Sequence, residues 1–188
     1  MKCLRATRLV ITITALGLAT CRSPNFAHTQ EPEARKVNWE VYFSPQGGTT
    51  RAVTTALQEA QTTILVQAYS FTSAPIAKAL VDAHKRGVKV EVILDKSQRT
   101  EKYSSADFLA HAGIPTRIDA AHSIAHNKIM IIDGETVITG SFNFTKAAEQ
   151  RNAENLLVIR DRTLAERYEA NWQMHKAHSQ PYVGKAQQ

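Results

Sequence analysis

From Lys128 to Ile132 the chain carries apolar side chains of both parities, Ile129 and Ile131 alternating with Met130 and Ile132. Side chains of an extended segment point to opposite faces in turn, so such a strand needs cover on both sides. Only the middle of a layered fold supplies it. Asp133-Gly134 follows and separates this run from a second β-type run, 136–139, which predicts a hairpin. The rest of the chain alternates in kind. Residues 39–43, 63–71, 88–94, 114–118 and 156–159 read as strands. Residues 49–61 place Ala52, Val53, Ala56, Leu57 and Ala60 at helical spacing. Ser73 and Pro75 open a second helix with Ile76, Ala79, Leu80 and Ala83 on one stripe, and Gly87 stops it. Ser104 or Ser105 opens a short helix that runs to Gly113, and Asp161 opens a terminal one with Leu164, Tyr168 and Trp172 four apart. The alternation predicts an α/β layer architecture without an internal repeat.

At 188 residues the chain suits one domain, and its amino terminus stands apart from it. Lys2, Arg5 and Arg8 precede an apolar run, 9–19, of signal-peptide length and too short to span a bilayer. Residues 1–27 are therefore expected to be a signal peptide cleaved between 20 and 27, residues 28–36 a flexible leader, and residues 37–188 the domain of an exported protein, periplasmic or secreted. A lipid anchor on Cys21 is the alternative end of that processing. Residues 1–27 hold four basic residues and no acidic ones, so of 23 basic and 17 acidic residues 19 and 17 remain. Overall charge then says little about a polyanionic partner. Cys3 and Cys21 are the two cysteines, which rules out an internal disulfide, a thiolate metal site and a cysteine nucleophile in the mature domain.

The chemistry-bearing residues lie around the hairpin. His126 and Lys128 are two apart in an extended segment and face one side. Ser141 and Asn143 are again two apart, beyond the return strand, so the two pairs meet at the open end of the hairpin. An ammonium and an amide hold anionic oxygens, and a neutral imidazole attacks phosphorus. Such a cluster suits a phosphodiester.

The order His126, Lys128, Asp133, followed by Gly140-Ser141-Phe142-Asn143, resembles the HKD signature of the phospholipase D superfamily. The single signature, short chain and signal peptide are similar to the small secreted bacterial endonucleases of that family. The resemblance implies a mixed sheet flanked by helices and a phosphodiesterase that hydrolyses DNA and RNA. It further implies a phosphohistidine on His126, phosphate binding by Lys128 and Asn143 with support from Ser141, and orientation of His126 by the Glu154 carboxylate. Because larger members carry two signatures in one chain, it implies a homodimer with one shared site. No metal and no cofactor enters that scheme.

Asp133 differs in parity from His126 and Lys128, and Asp-Gly is an ordinary turn pair; a structural role as turn former or ion-pair partner is expected ahead of a catalytic one. His122 precedes His126 by four residues but has no third ligand near it in sequence, so no metal site is expected there, and His175 and His178 are expected to be solvated. Arg99, Lys102, Lys146 and Arg151 are candidates for a groove that tracks a nucleic-acid backbone. Two other functions compete: a phospholipid hydrolase, which needs an apolar entrance that the sequence does not announce, and a silent nucleic-acid binder, which has no use for the imidazole.

Overall fold

The computed structural model describes residues 38–185; the expected signal peptide (1–27), the expected leader (28–36) and Cys21 lie outside the described residues. Strands are β1 (Asn38–Ser44), β2 (Thr63–Ala68), β3 (Lys89–Asp95), β4 (Thr116–Asp119), β5 (Lys128–Ile132), β6 (Thr136–Gly140), β7 (Glu154–Arg160) and β8 (Gln180–Tyr182). Helices are α1 (Thr49–Glu59), α2 (Ala74–Lys85), α3 (Ala106–His111), α4 (Lys146–Gln150) and α5 (Arg162–His178).

The strands form one sheet in the order β1-β7-β6-β5-β2-β3-β4-β8. β2, β3 and β4 run parallel; the other neighbours pair antiparallel. The expected mixed sheet between helices is therefore present, and β5 sits inside it. Met130 and Ile132 join Ile64, Val66, Val90, Val92 and Leu94 under α1, α2 and α3, while Ile131 joins Leu65, Ile93 and Val137 under α5. Both parities of the strand are buried because both faces carry a helical layer. Trp172 fixes α5 to its face: the indole is fully buried and its Nε1 donates to the Val66 carbonyl at 2.9 Å.

The hairpin loop holds three residues, Asp133, Gly134 and Glu135, because Ile132 pairs with Thr136. Asp133 and Gly134 have φ of 54° and 63°, and Glu135 N donates to the Ile132 carbonyl at 3.0 Å, the left-handed pair that matches strand twist. β2 stops at Ala68, three residues short of the expected strand; Phe71 makes only an isolated bridge to Phe144. α4, β8 and a 3₁₀ turn over Lys96–Arg99 have too few residues to show a period in sequence.

Candidate phosphodiester site

β5 enters the sheet beside the end of β2, with Lys128 opposite Ala68. Extending the β5–β6 register by two places sets Lys128 opposite Gly140, so the halves of the motif do converge at the open end of the hairpin. Gly140 has a reason to be glycine. Its φ is 147°, and a Cβ there would lie 2.3 Å from the Asn155 carbonyl oxygen. That carbonyl accepts from both Ser141 N and Phe142 N, which turns the chain out of β6. Phe142 and Phe144 then point into the core at 1% and 0% exposure, leaving Ser141 and Asn143 to project from the other side.

Each polar residue is held differently. Lys128 is buried, its Nζ donates to the His126 carbonyl at 3.1 Å, and it lies 5.3 Å from the centre of the Tyr69 ring. Burial pushes its pKa below the ordinary lysine value, and the charge of Glu154 works in the opposite direction. The His126 ring is exposed and packs at 4.7 Å against the same Tyr69, with no hydrogen bond to either nitrogen from any described residue. The Asn143 Oδ1 is buried without a partner, and rotation of the carboxamide exchanges it for the NH₂ donor. The Ala125 amide, next to His126, donates to the buried Asp95 carboxylate at 2.8 Å, which anchors the approach to the motif.

Tyr69 and Asp95 belong to this site, and nothing in the sequence singles them out. Tyr69 sits in a plain β-rich run, and Asp95 is a strand end like any other.

Glu154 departs from its expected role, and Asp133 takes the expected structural one. Glu154 makes no bond to His126; its carboxylate accepts from Ser141 Oγ at 2.6 Å and Asn152 Nδ2 at 3.0 Å. Its reach is set by β7, whose first residue it is, and it tethers the Ser141 turn. Asp133 lies at the other end of the hairpin, five residues from Lys128, or about 16 Å along an extended strand. Its carboxylate accepts from the amides of Gln61, Thr62 and Thr63 and from the Thr62 hydroxyl, all at 2.8–2.9 Å. Burial works to raise its pKa, but these donors outweigh it and hold the carboxyl below its ordinary value. Of the two roles open to Asp133, the structure supports the turn-forming one.

On the opposite face of the sheet, His175 is mostly buried at 15% exposure, and His178, 38% exposed, is in solvent as expected but also engaged. Their Nδ1 and Nε2 lie 2.7 and 3.2 Å from Oδ2 of the fully buried Asp119, with His122 Nε2 at 3.9 Å. His122 thus has the company its sequence neighbourhood does not show. The basic residues scatter: Arg99 turns to Tyr182 and Lys102 to Tyr103, and only Lys146 and Arg151 line one hollow. The apolar surface that the sequence does not announce is on edge strand β1, where Trp39, Val41 and Phe43 are 58%, 40% and 63% exposed. Among the described residues no helix is long and apolar enough to cross a membrane.

Residues 53–176 match the family described as cardiolipin synthase, PLD-like domain. A phospholipase D of Rickettsia typhi is 45% identical over 150 residues, covering 80% of this chain and 74% of the relative. The mitochondrial cardiolipin hydrolase of Xenopus tropicalis is 33% identical over 117 residues, 62% of this chain and 56% of the relative. Among solved structures, Nuc from Salmonella typhimurium, a phospholipase D family member, superposes with a TM-score of 0.76 at 42% identity, over 78% of this chain and 99% of that one.

Proposed function

The chain belongs to the phospholipase D superfamily of hydrolases, and on that premise we propose that it is an exported, metal-independent endonuclease that cleaves DNA and RNA through a phosphohistidine at a homodimer interface. One observation carries the reading. An exposed imidazole with both nitrogens unengaged stands with a buried ammonium and a half-buried carboxamide whose Oδ1 is buried without a partner. A phosphate seated there gives Lys128 and Asn143 the anion that their surroundings leave open.

In the first step a His126 ring nitrogen attacks phosphorus. The P–N bond forms as the P–O bond to the leaving group breaks, and the leaving oxygen takes a proton from a second imidazole. Water then attacks phosphorus, the P–N bond breaks, and the water proton returns to that second imidazole. The other described histidines stand elsewhere: His84 and His111 in the last turns of α2 and α3, His122, His175 and His178 around Asp119. The second imidazole is therefore assigned to His126 of a second copy. The Trp39–Phe43 strip suits that contact, since Phe43 pairs with Asn155, whose amide in turn donates to Ser141 Oγ.

The nuclease reading is supported by the likeness to Nuc, 42% identical with a TM-score of 0.76, against 33% identity to the cardiolipin hydrolase. The same exposed strip is what favours a phospholipid hydrolase instead. Purified protein with excess chelator is expected to cleave plasmid DNA, RNA and bis(p-nitrophenyl) phosphate, and to release no headgroup from phospholipid vesicles. His126→Ala abolishes cleavage, and mixed dimers with one His126→Ala subunit are nearly inactive. Half activity in the mixed dimer overturns the shared site; headgroup release without nucleic-acid cleavage selects the lipid reading.

A further inference from the structure

We propose that Asp119, His122, His175 and His178 bind one divalent transition-metal ion of the zinc class, at a structural site on the face of the sheet opposite Lys128. One potential ligand atom from each of the four lies within 4.8 Å of the others. The three imidazole rings form a near-equilateral triangle, with centroids 5.1, 5.3 and 5.2 Å apart. All three present a nitrogen to the same oxygen, Oδ2 of Asp119, while Oδ1 is tied at 3.0 Å to the Ala121 amide. That bond fixes the plane of the carboxylate and leaves Oδ2 as the free donor.

A hydrogen-bonded cluster alone accounts for part of this. His122 Nε2, at 3.9 Å, stands beyond hydrogen-bond distance of Oδ2, so hydrogen bonding to the carboxylate does not account for its place in the triangle. Neighbouring cations are engaged elsewhere: Lys176 with Glu91, Arg117 with Ser179, and Lys96 with the His122 carbonyl. His175 and His178 also occupy the last turn of a 17-residue helix, whose carbonyl end favours positive charge. Three imidazoles and a carboxylate are a borderline N₃O set, the ligand type of zinc and its neighbours.

Tetrahedral bonds of about 2.0–2.1 Å separate ligand atoms by about 3.3 Å, so the present spread must contract by about 1.5 Å at most. The residues able to move are the right ones. His122 and His178, 47% and 38% exposed, are free to close in, whereas Asp119 and His175, 0% and 15% exposed and 2.7 Å apart, need part by only about 0.6 Å. With four protein ligands the coordination is complete and leaves no position for substrate, which marks a structural and not a catalytic ion.

Its mechanical effect follows from the topology. Asp119 ends β4, His122 lies in the following loop, and the two histidines of α5 close the set from another element. The loop runs on through Ala125, held by Asp95, to His126. An ion clamps α5 to β4 and shortens the free part of the segment that delivers His126.

The test uses the full mature protein, stripped with chelator and titrated with Co²⁺ and Zn²⁺. The expected result is Co²⁺ saturation at one ion per chain with absorption of tetrahedral intensity, displacement by Zn²⁺, a Tm rise of roughly 5 °C in excess Zn²⁺, and slower proteolysis within residues 120–125. His175→Gln/His178→Gln loses saturable binding; His122→Ala, an exposed loop change that leaves the helix intact, weakens it should the double variant fail to fold. His126→Ala binds as wild type does. Absence of saturation, octahedral absorption, or unchanged binding in the His122 and His175/His178 variants overturns the proposal. Phosphodiester hydrolysis by the stripped protein continues at 25 °C, so loss of this site and loss of the nuclease reading are separate results.

Discussion

Replacing Asp133 with Asn separates a folding role from a chemical one at the most recognisable carboxylate of the motif. The backbone there has φ of 54°, a left-handed value that Asn tolerates, so the substitution adds little strain. What changes is the acceptor. Oδ1 takes three donors, from Thr62 N, Thr62 Oγ1 and Thr63 N, and Oδ2 takes one, from Gln61 N. In Asp133→Asn one end becomes an NH₂ facing the Gln61 amide, which removes a charge-assisted bond, and the other three bonds become neutral and weaker. One bond lost at about 1.5 kcal/mol and three weakened by about 0.5 kcal/mol each give roughly 3 kcal/mol, and partial exposure of the site draws this toward 2 kcal/mol. Urea unfolding reads that loss directly, with a Tm lower by roughly 4–10 °C. The pH dependence has a definite sign. A carboxyl depressed in the folded state contributes above its unfolded pKa of about 3.9 and loses that contribution as pH falls through the folded value. The stability gap between wild type and variant therefore narrows below about pH 4. Hydrolysis of bis(p-nitrophenyl) phosphate per mole of folded protein at 25 °C stays within about threefold of wild type, an effect under ~1 kcal/mol on the barrier. A hundredfold loss of kcat with unchanged urea midpoint refutes the argument and returns Asp133 to the chemistry.

Lys128→Met removes a charge that burial disfavours while keeping most of the stem volume, so stability holds or rises by about 1 kcal/mol as activity falls at least ~100-fold; a large loss of stability in the unfolding curve contradicts the burial argument. Glu154→Gln withdraws the charge that partly offsets the depressed Lys128 pKa. The alkaline limb of the kcat/KM profile then moves to lower pH, and an unmoved limb shows that Lys128 does not set it. Ser141→Ala deletes the 2.6 Å bond that tethers Glu154 and is expected to lower kcat by roughly tenfold, a transition-state loss near 1.4 kcal/mol, with KM little changed. A rise in KM alone assigns Ser141 to ground-state binding.

What the sequence discloses divides by distance along the chain. Period and parity are local, so β5 with its two buried faces, the Asp-Gly hairpin and the helical stripes of α1 and α2 are legible in the order of residues alone. The motif is legible for the same reason: His126, Lys128, Ser141 and Asn143 flank two strands joined by one short turn, whose register follows from the turn. Tyr69 and Asp95 come from the ends of β2 and β3, and nothing local distinguishes an aromatic platform from a core aromatic or an anchoring Asp from a strand end. Parity sets Asp133 apart correctly because a strand has only two sides. Proximity in sequence misleads at His122, whose companions His175 and His178 stand more than fifty residues away and reach it only through the packing of Trp172 against β2. A chain that builds its candidate site from neighbours and its histidine cluster from segments more than fifty residues apart exposes the first to motif reading and hides the second. Changes that loosen α5, such as Trp172→Ala, should therefore disperse the Asp119 cluster while leaving the local geometry of the hairpin motif intact.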